Sequence, residues 1–182
     1  KRPVQPLLDG LRSLGGFAVS TRENGKAPII IKGPLNSGKA RICGKDSQPV
    51  SALLMATAFS KGQTEILVEN PGEKPWISLT LSWFDRFGIP YTNKDFQQYI
   101  LEGNASIDAF EMTVPGDFSS AAFPLAAGIL TGSEITLNNL DMEDPQGDKR
   151  IVRILQEMGA NIFVDSGRRS LSLKKSSQLQ GM

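Results

Sequence analysis

The chain has 182 residues, of which 40% are hydrophobic and 21% charged, the size and composition of one globular domain or two small ones. Its 20 basic and 19 acidic residues leave a net charge of +1, which excludes binding of nucleic acid or an anionic membrane through bulk charge. One cysteine and no histidine exclude a disulfide framework and a zinc site, so we expect a reducing, cytoplasmic compartment and neither metal nor organic cofactor.

The two ends of the sequence predict a soluble piece of a longer protein. No apolar run approaches the roughly 18 residues of a membrane span, and the first residues lack a signal-peptide pattern. The chain starts at Lys1 in place of a methionine, enters a helical pattern at once, and stops at Met182 without a terminating signal. We therefore expect that both ends are cut and that no membrane is bound.

The first predicted elements are a helix and a strand, followed by a segment similar to a nucleotide-binding loop. Leucines at helical spacing predict the helix over residues 7–15, and residues 28–31 predict the strand. Residues 33–39 match the first seven positions of the GxxxxGK[ST] pattern, but Ala40 lacks the hydroxyl that binds magnesium, and residues 41–43 continue as a strand. We therefore predict a hairpin turn made by Gly and Asn at residues 33–39.

The middle of the chain predicts two helices separated by a strand. The first helix opens at Asp46 and ends near Gly62. The strand covers residues 65–68, and the second helix, with Pro75 suited to its first turn, ends at Gly88. The apolar stripes of the helices predict core positions, among them Met55, Trp83, Phe84 and Met158.

A break is predicted at residues 114–116, Val-Pro-Gly, before the next helix. We predict a domain boundary there, with residues 1–113 in the first domain and residues 114–182 in the second. After the break, the earlier order of elements returns: a helix from Asp117 to Gly132, a strand over residues 134–137 and a helix ending at Gly159.

The predicted elements recur about every 70 residues. Gly15, Gly88 and Gly159 close helices of one type and are separated by 73 and 71 residues. Gly62 and Gly132 close helices of the other type and are 70 residues apart. Glycine after the last apolar position is typical of a left-handed helix C-cap. The spacing therefore predicts an α/β protein built from repeated units of helix, strand, helix and paired strands.

Candidate binding residues lie at helix starts, because the N–H groups and the helix dipole there attract anions. Ser47 and Gln48 can donate hydrogen bonds to a phosphate or a hydroxyl while Asp46 caps the helix. A plain capping motif explains the same residues without a ligand, and this holds also for residues 117–120. Lys74, before the second helix, could bind an anion or be solvated.

Four ordered blocks, which together extend over most of the chain, resemble the 5-enolpyruvylshikimate-3-phosphate synthase family. Residues 44–54 resemble its G-x-x-S-S-Q-x-x-[ST]-A-L-L stretch, and residues 73–81 resemble its S-K-P-Y-I-x-x-T-L stretch. Residues 114–122 are similar to V-x-G-D-x-S-S-A-x, and residues 146–148 with 155–160 are similar to Q-G-D followed by L-x-x-M-G-A.

This resemblance implies an α/β (α+β) fold of two lobes, each made of three βαβαββ units in an inside-out barrel, with the site between the lobes. The chain would hold parts of two lobes: residues 1–113 the second half of the first, residues 114–182 the first unit of the second. The implied reaction, in the shikimate pathway of aromatic amino acid biosynthesis, transfers the enolpyruvyl group of phosphoenolpyruvate to the 5-hydroxyl of shikimate 3-phosphate. The two substrates are the implied partners, and the full enzyme is expected to be a cytoplasmic monomer.

The resemblance also implies a set of substrate-binding residues. Carried over by position, Ser47 and Gln48 would bind shikimate 3-phosphate, and Gln48 would reach toward phosphoenolpyruvate. Asp46, Glu73 and Trp76 are candidates at positions where the family more often has Ser, Ser and Tyr. Two carboxylates repel a phosphate unless they turn away, cap helices or pair with cations. The family's Lys-Ser-Arg segment, arginine clamp and aspartate base have no counterpart here, so no catalytic residue is predicted and the chain alone should be inactive.

Two other functions are compatible with the sequence. The related UDP-N-acetylglucosamine enolpyruvyl transferase has its reactive cysteine on a glycine-containing loop, whereas Cys43 falls in a strand pattern that predicts an inert, buried thiol. The replacements at Asp46, Glu73 and Trp76 would also fit a protein that keeps the fold as a non-catalytic binding module.

Overall fold

The glycine-spaced repeat of the sequence corresponds to a repeated order of helices and strands. The computed structural model describes residues 2–175 and 179–181, and the chain divides into an N-terminal unit, Lys1–Ala109, and a C-terminal unit, Phe110–Met182. The N-terminal unit contains α1 (Gln5–Ser13), β1 (Phe17–Ser20), β2 (Ile29–Lys32), β3 (Gly38–Cys43), α2 (Ser47–Ala58), β4 (Thr64–Glu69), α3 (Lys74–Arg86), β5 (Tyr91–Lys94) and β6 (Gln98–Leu101). The C-terminal unit contains α4 (Phe118–Thr131), β7 (Ile135–Asn138), a short 3₁₀ helix (Gly147–Lys149), α5 (Arg150–Glu157), β8 (Ile162–Asp165) and β9 (Ser170–Leu173).

One complete βαβαββ repeat lies in the N-terminal unit, from β3 to β6. Its strands form one sheet in the order β3-β4-β6-β5, with β3 and β4 parallel and the other neighbours antiparallel. Before it, α1 and the antiparallel pair β1-β2 have the order that ends such a repeat. In the C-terminal unit, α4 to β9 follow the same order without the first strand, in a sheet β7-β9-β8. The predicted α/β class with repeated βαβαββ units is confirmed.

Aspartate side chains start two of the helices, as the sequence predicts. The Asp46 carboxylate accepts the backbone N–H of Gln48 at 3.0 Å, and Asp117 accepts that of Ser120 at 2.9 Å. Each aspartate has an extended backbone, which is typical of an N-cap. Gly132, with φ of +64°, closes α4 in the left-handed conformation that its position predicts.

The end of α2 differs from the prediction. The helix stops at Ala58, earlier than the predicted end near Gly62. Two backbone N–H groups beyond β6 donate to carbonyls at this point, Asn104 to Ser60 at 2.7 Å and Ala105 to Ala58 at 2.9 Å. The Ala58 carbonyl, which the N–H of Gly62 would use if the helix continued, is bonded by Ala105 instead.

Each unit has its own core. The N-terminal core is made by α1, α2 and α3 with the adjacent strands, and it includes the fully buried Tyr99. The C-terminal core surrounds Phe118, the first residue of α4. Of the predicted core positions, Phe84 is buried and Trp83 and Met158 are half-buried, but Met55 is 47% exposed. The prediction for Met55 was wrong because α2 is apolar on several faces, so its spacing does not define which face is buried.

The predicted hairpin at residues 33–39 is also wrong. β2 pairs antiparallel with β1, with Phe17 opposite Lys32, whereas β3 pairs parallel with β4. The segment between β2 and β3 therefore connects two sheets. Lys39, the lysine of the 33–39 pattern, lies within β3 and forms an ion pair with Glu65 of β4 at 2.6 Å.

The segment between β6 and α4, residues 102–117, contains no helix or strand. The division between the two units falls within it, at Ala109 and Phe110. The boundary predicted after residue 113 lies in the same segment. That it separates two lobes stays a prediction. None of the helices in residues 2–175 and 179–181 combines the length and apolar character needed to cross a bilayer.

A test of the fold is the substitution Gly44→Ala. The added Cβ would lie 2.3 Å from Cγ1 of Val68, so we expect the free energy of unfolding of the N-terminal unit to fall by about 2 kcal/mol through overpacking. Both tryptophans lie in this unit, so tryptophan fluorescence during urea unfolding measures the effect.

The matched control is Gly33→Ala, whose Cβ would meet only a backbone nitrogen at 3.8 Å. It should change the free energy of unfolding by less than about 0.5 kcal/mol. Equal effects of the two substitutions would contradict the close approach at Gly44.

Candidate functional site

The candidate site residues lie where two parallel strands end and two helices begin. In the ladder of β3 and β4, Cys43 is opposite Glu69 at the carboxyl end of both strands. Each strand leads through a short loop into a helix, α2 or α3, so both helices start at the same edge of the sheet. The carboxyl edge of parallel strands is the usual place for ligand sites in α/β proteins.

Two glycines allow the loops after β3 and β4 to touch backbone to backbone. The N–H of Gly44 donates to the carbonyl of Glu69 at 2.7 Å, and the N–H of Gly72 donates to the carbonyl of Gly44 at 2.9 Å. A Cβ at Gly72 would lie 2.7 Å from the carbonyl oxygen of Lys45. This close approach brings the first residue of α2 next to the residue that precedes α3.

Ser47 and Glu73 are joined by two hydrogen bonds across this contact. The backbone N–H of Ser47 donates to Oε2 of Glu73 at 3.0 Å, and the Ser47 hydroxyl donates to the same oxygen at 2.8 Å. Ser47 is only 3% exposed, whereas Glu73 is exposed. The backbone and hydroxyl hydrogen bonds from Ser47, with a smaller contribution from the charge of Arg2, lower the pKa of Glu73 below its ordinary value of 4.5. Glu73 is therefore an anion bound at the start of α2 at neutral pH.

The first turn of α2 has its remaining backbone donors accounted for. The N–H of Gln48 donates to Oδ1 of Asp46 at 3.0 Å, and Pro49 has no N–H. Residues 47–49 therefore offer a ligand no backbone donor unless Glu73 or Asp46 moves away. The Gln48 side chain is exposed and can donate from its amide.

Arg2 is a neighbour of the site that the sequence did not reveal. Its Nε lies 3.6 Å from Oδ2 of Asp46. The two residues border a cavity of about 190 Å³ together with Gln48. The sequence shows Arg2 only as a basic residue ahead of the first helix, and no spacing rule connects it to Asp46. The other residues that line the cavity are Pro3, Val4, Leu7, Pro49 and Ala52.

The start of α3 places the last two residues of interest. Trp76 donates its backbone N–H to the carbonyl of Glu73 at 3.0 Å, and its side chain is half-buried. Nζ of Lys74 lies over the Phe96 ring, 5.5 Å from the ring centre. The structure thus brings Asp46, Ser47, Gln48 and Glu73 together, with Trp76 joined through its backbone.

A further contact joins α2 and α3 one turn into the helices. The hydroxyl of Thr80 donates to the hydroxyl oxygen of Ser51 at 2.8 Å. Both residues belong to the sequence blocks at 44–54 and 73–81, but no pattern in the sequence indicates that these blocks meet in space. The bond fixes the two helix starts relative to each other.

The start of α4 in the C-terminal unit repeats part of this arrangement. Gln146 is 6% exposed, its Oε1 accepts the N–H of Phe118 at 2.9 Å, and its Nε2 donates to the carbonyl of Gly116 at 2.9 Å. The Ser119 hydroxyl donates to Asp148. The Q-G-D block therefore fastens the start of α4, which is a structural role that the sequence did not predict.

Cys43 and the acidic groups provide no metal site. Cys43 is the last residue of β3 and is half-buried, so the strand prediction is confirmed but full burial is not. In the described part of the chain, no group of three or more His, Cys, Asp and Glu residues could hold a metal ion.

Comparisons with known proteins match nearly the whole chain. The family model of EPSP synthase (3-phosphoshikimate 1-carboxyvinyltransferase) matches residues 1–180. A protein of Acetivibrio thermocellus named 3-phosphoshikimate 1-carboxyvinyltransferase is 41% identical over 165 residues, which are 91% of this chain and 39% of that protein. One of the same name from Ruminiclostridium cellulolyticum is 38% identical over the same shares.

The fold is similar to solved structures of EPSP synthase from Acinetobacter baumannii. One of them covers 100% of this chain and 41% of its own, with a TM-score of 0.71 and 23% sequence identity. The chain therefore spans about two fifths of the length of the curated relatives and solved structures that it matches.

The bond between Ser47 and Glu73 can be tested through its pH dependence. We expect Glu73→Gln to lower the free energy of unfolding by about 1 kcal/mol at pH 7, because a charged acceptor in an exposed position is replaced by a neutral one. Since the folded-state pKa of Glu73 is lowered, its contribution is present above the ordinary value of 4.5 and is lost as the pH falls through the folded value. Urea unfolding between pH 7 and pH 3 measures the difference.

Glu102→Gln is the matched control, because Glu102 is an exposed carboxylate of the same unit whose partner is the uncharged Gln63. Its effect should be smaller than about 0.5 kcal/mol at pH 7. A difference between wild type and Glu73→Gln that stayed constant down to pH 3 would argue against the ionised contact.

Proposed function

Because the chain belongs to the EPSP synthase family, we propose that it forms part of an enzyme that transfers the enolpyruvyl group of phosphoenolpyruvate to the 5-hydroxyl of shikimate 3-phosphate. The observation that carries the proposal is the match of residues 1–180 to the family, in a chain whose two blocks at 44–54 and 73–81 meet at the starts of α2 and α3. A lone cysteine fits a cytoplasmic enzyme.

The proposed reaction needs positioning and charge rather than a cofactor. A proton adds to the methylene carbon of phosphoenolpyruvate, and the 5-hydroxyl oxygen attacks the neighbouring cationic carbon as its own proton passes to a base. That carbon then loses phosphate, and the methyl group loses a proton to a base, which regenerates the methylene. Both substrates carry several negative charges, so holding them together in one orientation accounts for much of the catalysis. Donors fixed on helix starts are suited to that task.

In this proposal Ser47 and Gln48 are substrate-binding residues. The exposed amide of Gln48 can donate to either substrate from the rim of the cavity that Arg2 lines. Ser47 can donate twice, once its hydrogen bonds to Glu73 are exchanged for bonds to a phosphate. Asp46 and Trp76 hold the two helix starts and support these residues rather than touch the phosphate.

The division of the chain fits the same proposal. We assign residues 1–113 to the second half of one lobe and residues 114–182 to the first unit of the next. The complete βαβαββ repeat in the N-terminal unit and the order of α4 to β9 support this assignment. The position of Cys43 at the end of β3 gives no support to a UDP-N-acetylglucosamine enolpyruvyl transferase.

The 182-residue chain alone should have no transferase activity. Lysine, arginine and aspartate residues that the family resemblance assigns to catalysis have no counterpart in the four matched blocks. With both substrates present, we expect phosphate release at the rate of the protein-free control, measured by a coupled phosphate assay. Release that requires both substrates would overturn the assignment of catalysis to residues beyond this chain.

Activity can be restored in a chimera, in which this chain replaces the matched segment of the Acetivibrio thermocellus relative. We expect turnover, and we expect Ser47→Ala and Gln48→Ala each to raise KM for shikimate 3-phosphate about tenfold, since each removes hydrogen bonds to a charged group. Steady-state kinetics with varied shikimate 3-phosphate measure both effects.

Gln63→Ala is the control for Gln48→Ala, because Gln63 is an exposed glutamine that bonds Glu102 away from the two helix starts. Its KM should match that of the unmodified chimera. A folded chimera that neither binds shikimate 3-phosphate nor turns over would leave a non-catalytic binding module as the better function.

A further inference from the structure

Glu73 and Gln146 hold equivalent positions in the two repeats but differ in charge. Glu73 precedes α3, and its carboxylate accepts the first N–H of α2 at 3.0 Å. Gln146 precedes the 3₁₀ helix that leads into α5, and its amide oxygen accepts the first N–H of α4, from Phe118, at 2.9 Å. A neutral side chain is therefore enough to accept the first N–H of such a helix.

Accepting the first N–H of α2 therefore does not explain why residue 73 is charged. Its Oε2 also accepts the hydroxyl of Ser47 at 2.8 Å, so two donors of one residue meet at one anionic oxygen. That is the geometry in which a serine at a helix start binds an oxygen of a phosphate. Ser47 is 3% exposed and both of its donors are bonded to Oε2 of Glu73, so an incoming oxyanion competes with Glu73 for them.

We propose that Glu73 determines whether an anionic ligand can bind at the start of α2. Its carboxylate accepts both donors of Ser47, and an oxyanion ligand binds there only by displacing that carboxylate. This inference rests on the proposed function, which assigns Ser47 to the phosphate of shikimate 3-phosphate. It makes Glu73 an internal competitor for that phosphate.

The charges around the site favour the competitor over a free anion. Asp46 adds a second carboxylate beside Ser47, and Arg2, 3.6 Å from Asp46, shares its charge between Asp46 and Glu73. A phosphate that displaced Glu73 would face one arginine and two carboxylates. The site therefore has a low affinity for phosphate as long as residue 73 is a glutamate.

The test uses the 182-residue chain labelled with ¹⁵N, titrated with inorganic phosphate at pH 7 while the amide signals of Ser47 and Gln48 are followed by NMR. We expect Glu73→Ala to bind phosphate at least about tenfold more tightly than wild type. Glu73→Gln removes the charge but keeps an acceptor, as Gln146 does, so its phosphate affinity should lie between those of wild type and Glu73→Ala. Glu102→Ala, which removes an exposed carboxylate of the same unit, should equal wild type.

A double variant locates the effect. In Glu73→Ala/Ser47→Ala the gain should disappear, because the freed donors are then absent. If Glu73→Ala does not fold, Glu73→Gly replaces it, since glycine adopts the φ of +46° found at this position without strain. Equal phosphate affinities of wild type and the Ala or Gly variant, no phosphate binding by any variant, or equal gains from Glu73→Gln and Glu73→Ala would each overturn the inference.

The result is separable from that of the proposed function. The NMR titration reports binding of inorganic phosphate and needs no turnover. If the proposed function is wrong, the folded chimera does not bind shikimate 3-phosphate, whether residue 73 is Glu or Ala.

Discussion

The backbone contact between the loops after β3 and β4 is the constraint on which the candidate site depends. Gly44 and Gly72 let the two loops approach to hydrogen-bonding distance, where any side chain at either position would collide with its neighbour. The parallel ladder of β3 and β4 places the two loops side by side, since Cys43 and Glu69 form its last pair. Two helix starts separated along the chain thereby share one edge, and the hydrogen bonds between Ser47 and Glu73 follow from that placement.

The structure gives the two unusual carboxylates definite roles. Asp46 caps α2 and lies 3.6 Å from Arg2, and Glu73 is bound by Ser47. These are the conditions under which carboxylates can lie beside an anion site without destabilising the protein. The same contacts mean that the start of α2 already holds an anion. In the proposed function, substrate binding there is an exchange of acceptors, and its affinity depends on how readily Glu73 leaves.

Comparison of the two units shows how the contacts at two equivalent helix starts differ. At α4, the first turn is fixed by the neutral Gln146, by the Asp117 cap and by Asp148, which accepts the Ser119 hydroxyl. At α2, Asp46 supplies the cap, and Glu73 puts a second charge where Gln146 has none. Repetition of the fold therefore acts as an internal control, because equivalent positions show which contacts are required for folding alone.

Local sequence patterns were enough to predict several helix starts and ends and the family. Side chains within a few residues fix a helix start or end, which is why the sequence predicts the helix caps at Asp46, Asp117 and Gly132. Four sequence blocks were enough to identify the family. Which of these elements meet could be seen only in the folded chain. The pairing of β2 with β1 and of β3 with β4, and the bonds from Ser47 to Glu73, join residues that no local pattern links. Such contacts depend on the register of the sheet and on the close approach at Gly44, and these are properties of the folded chain as a whole.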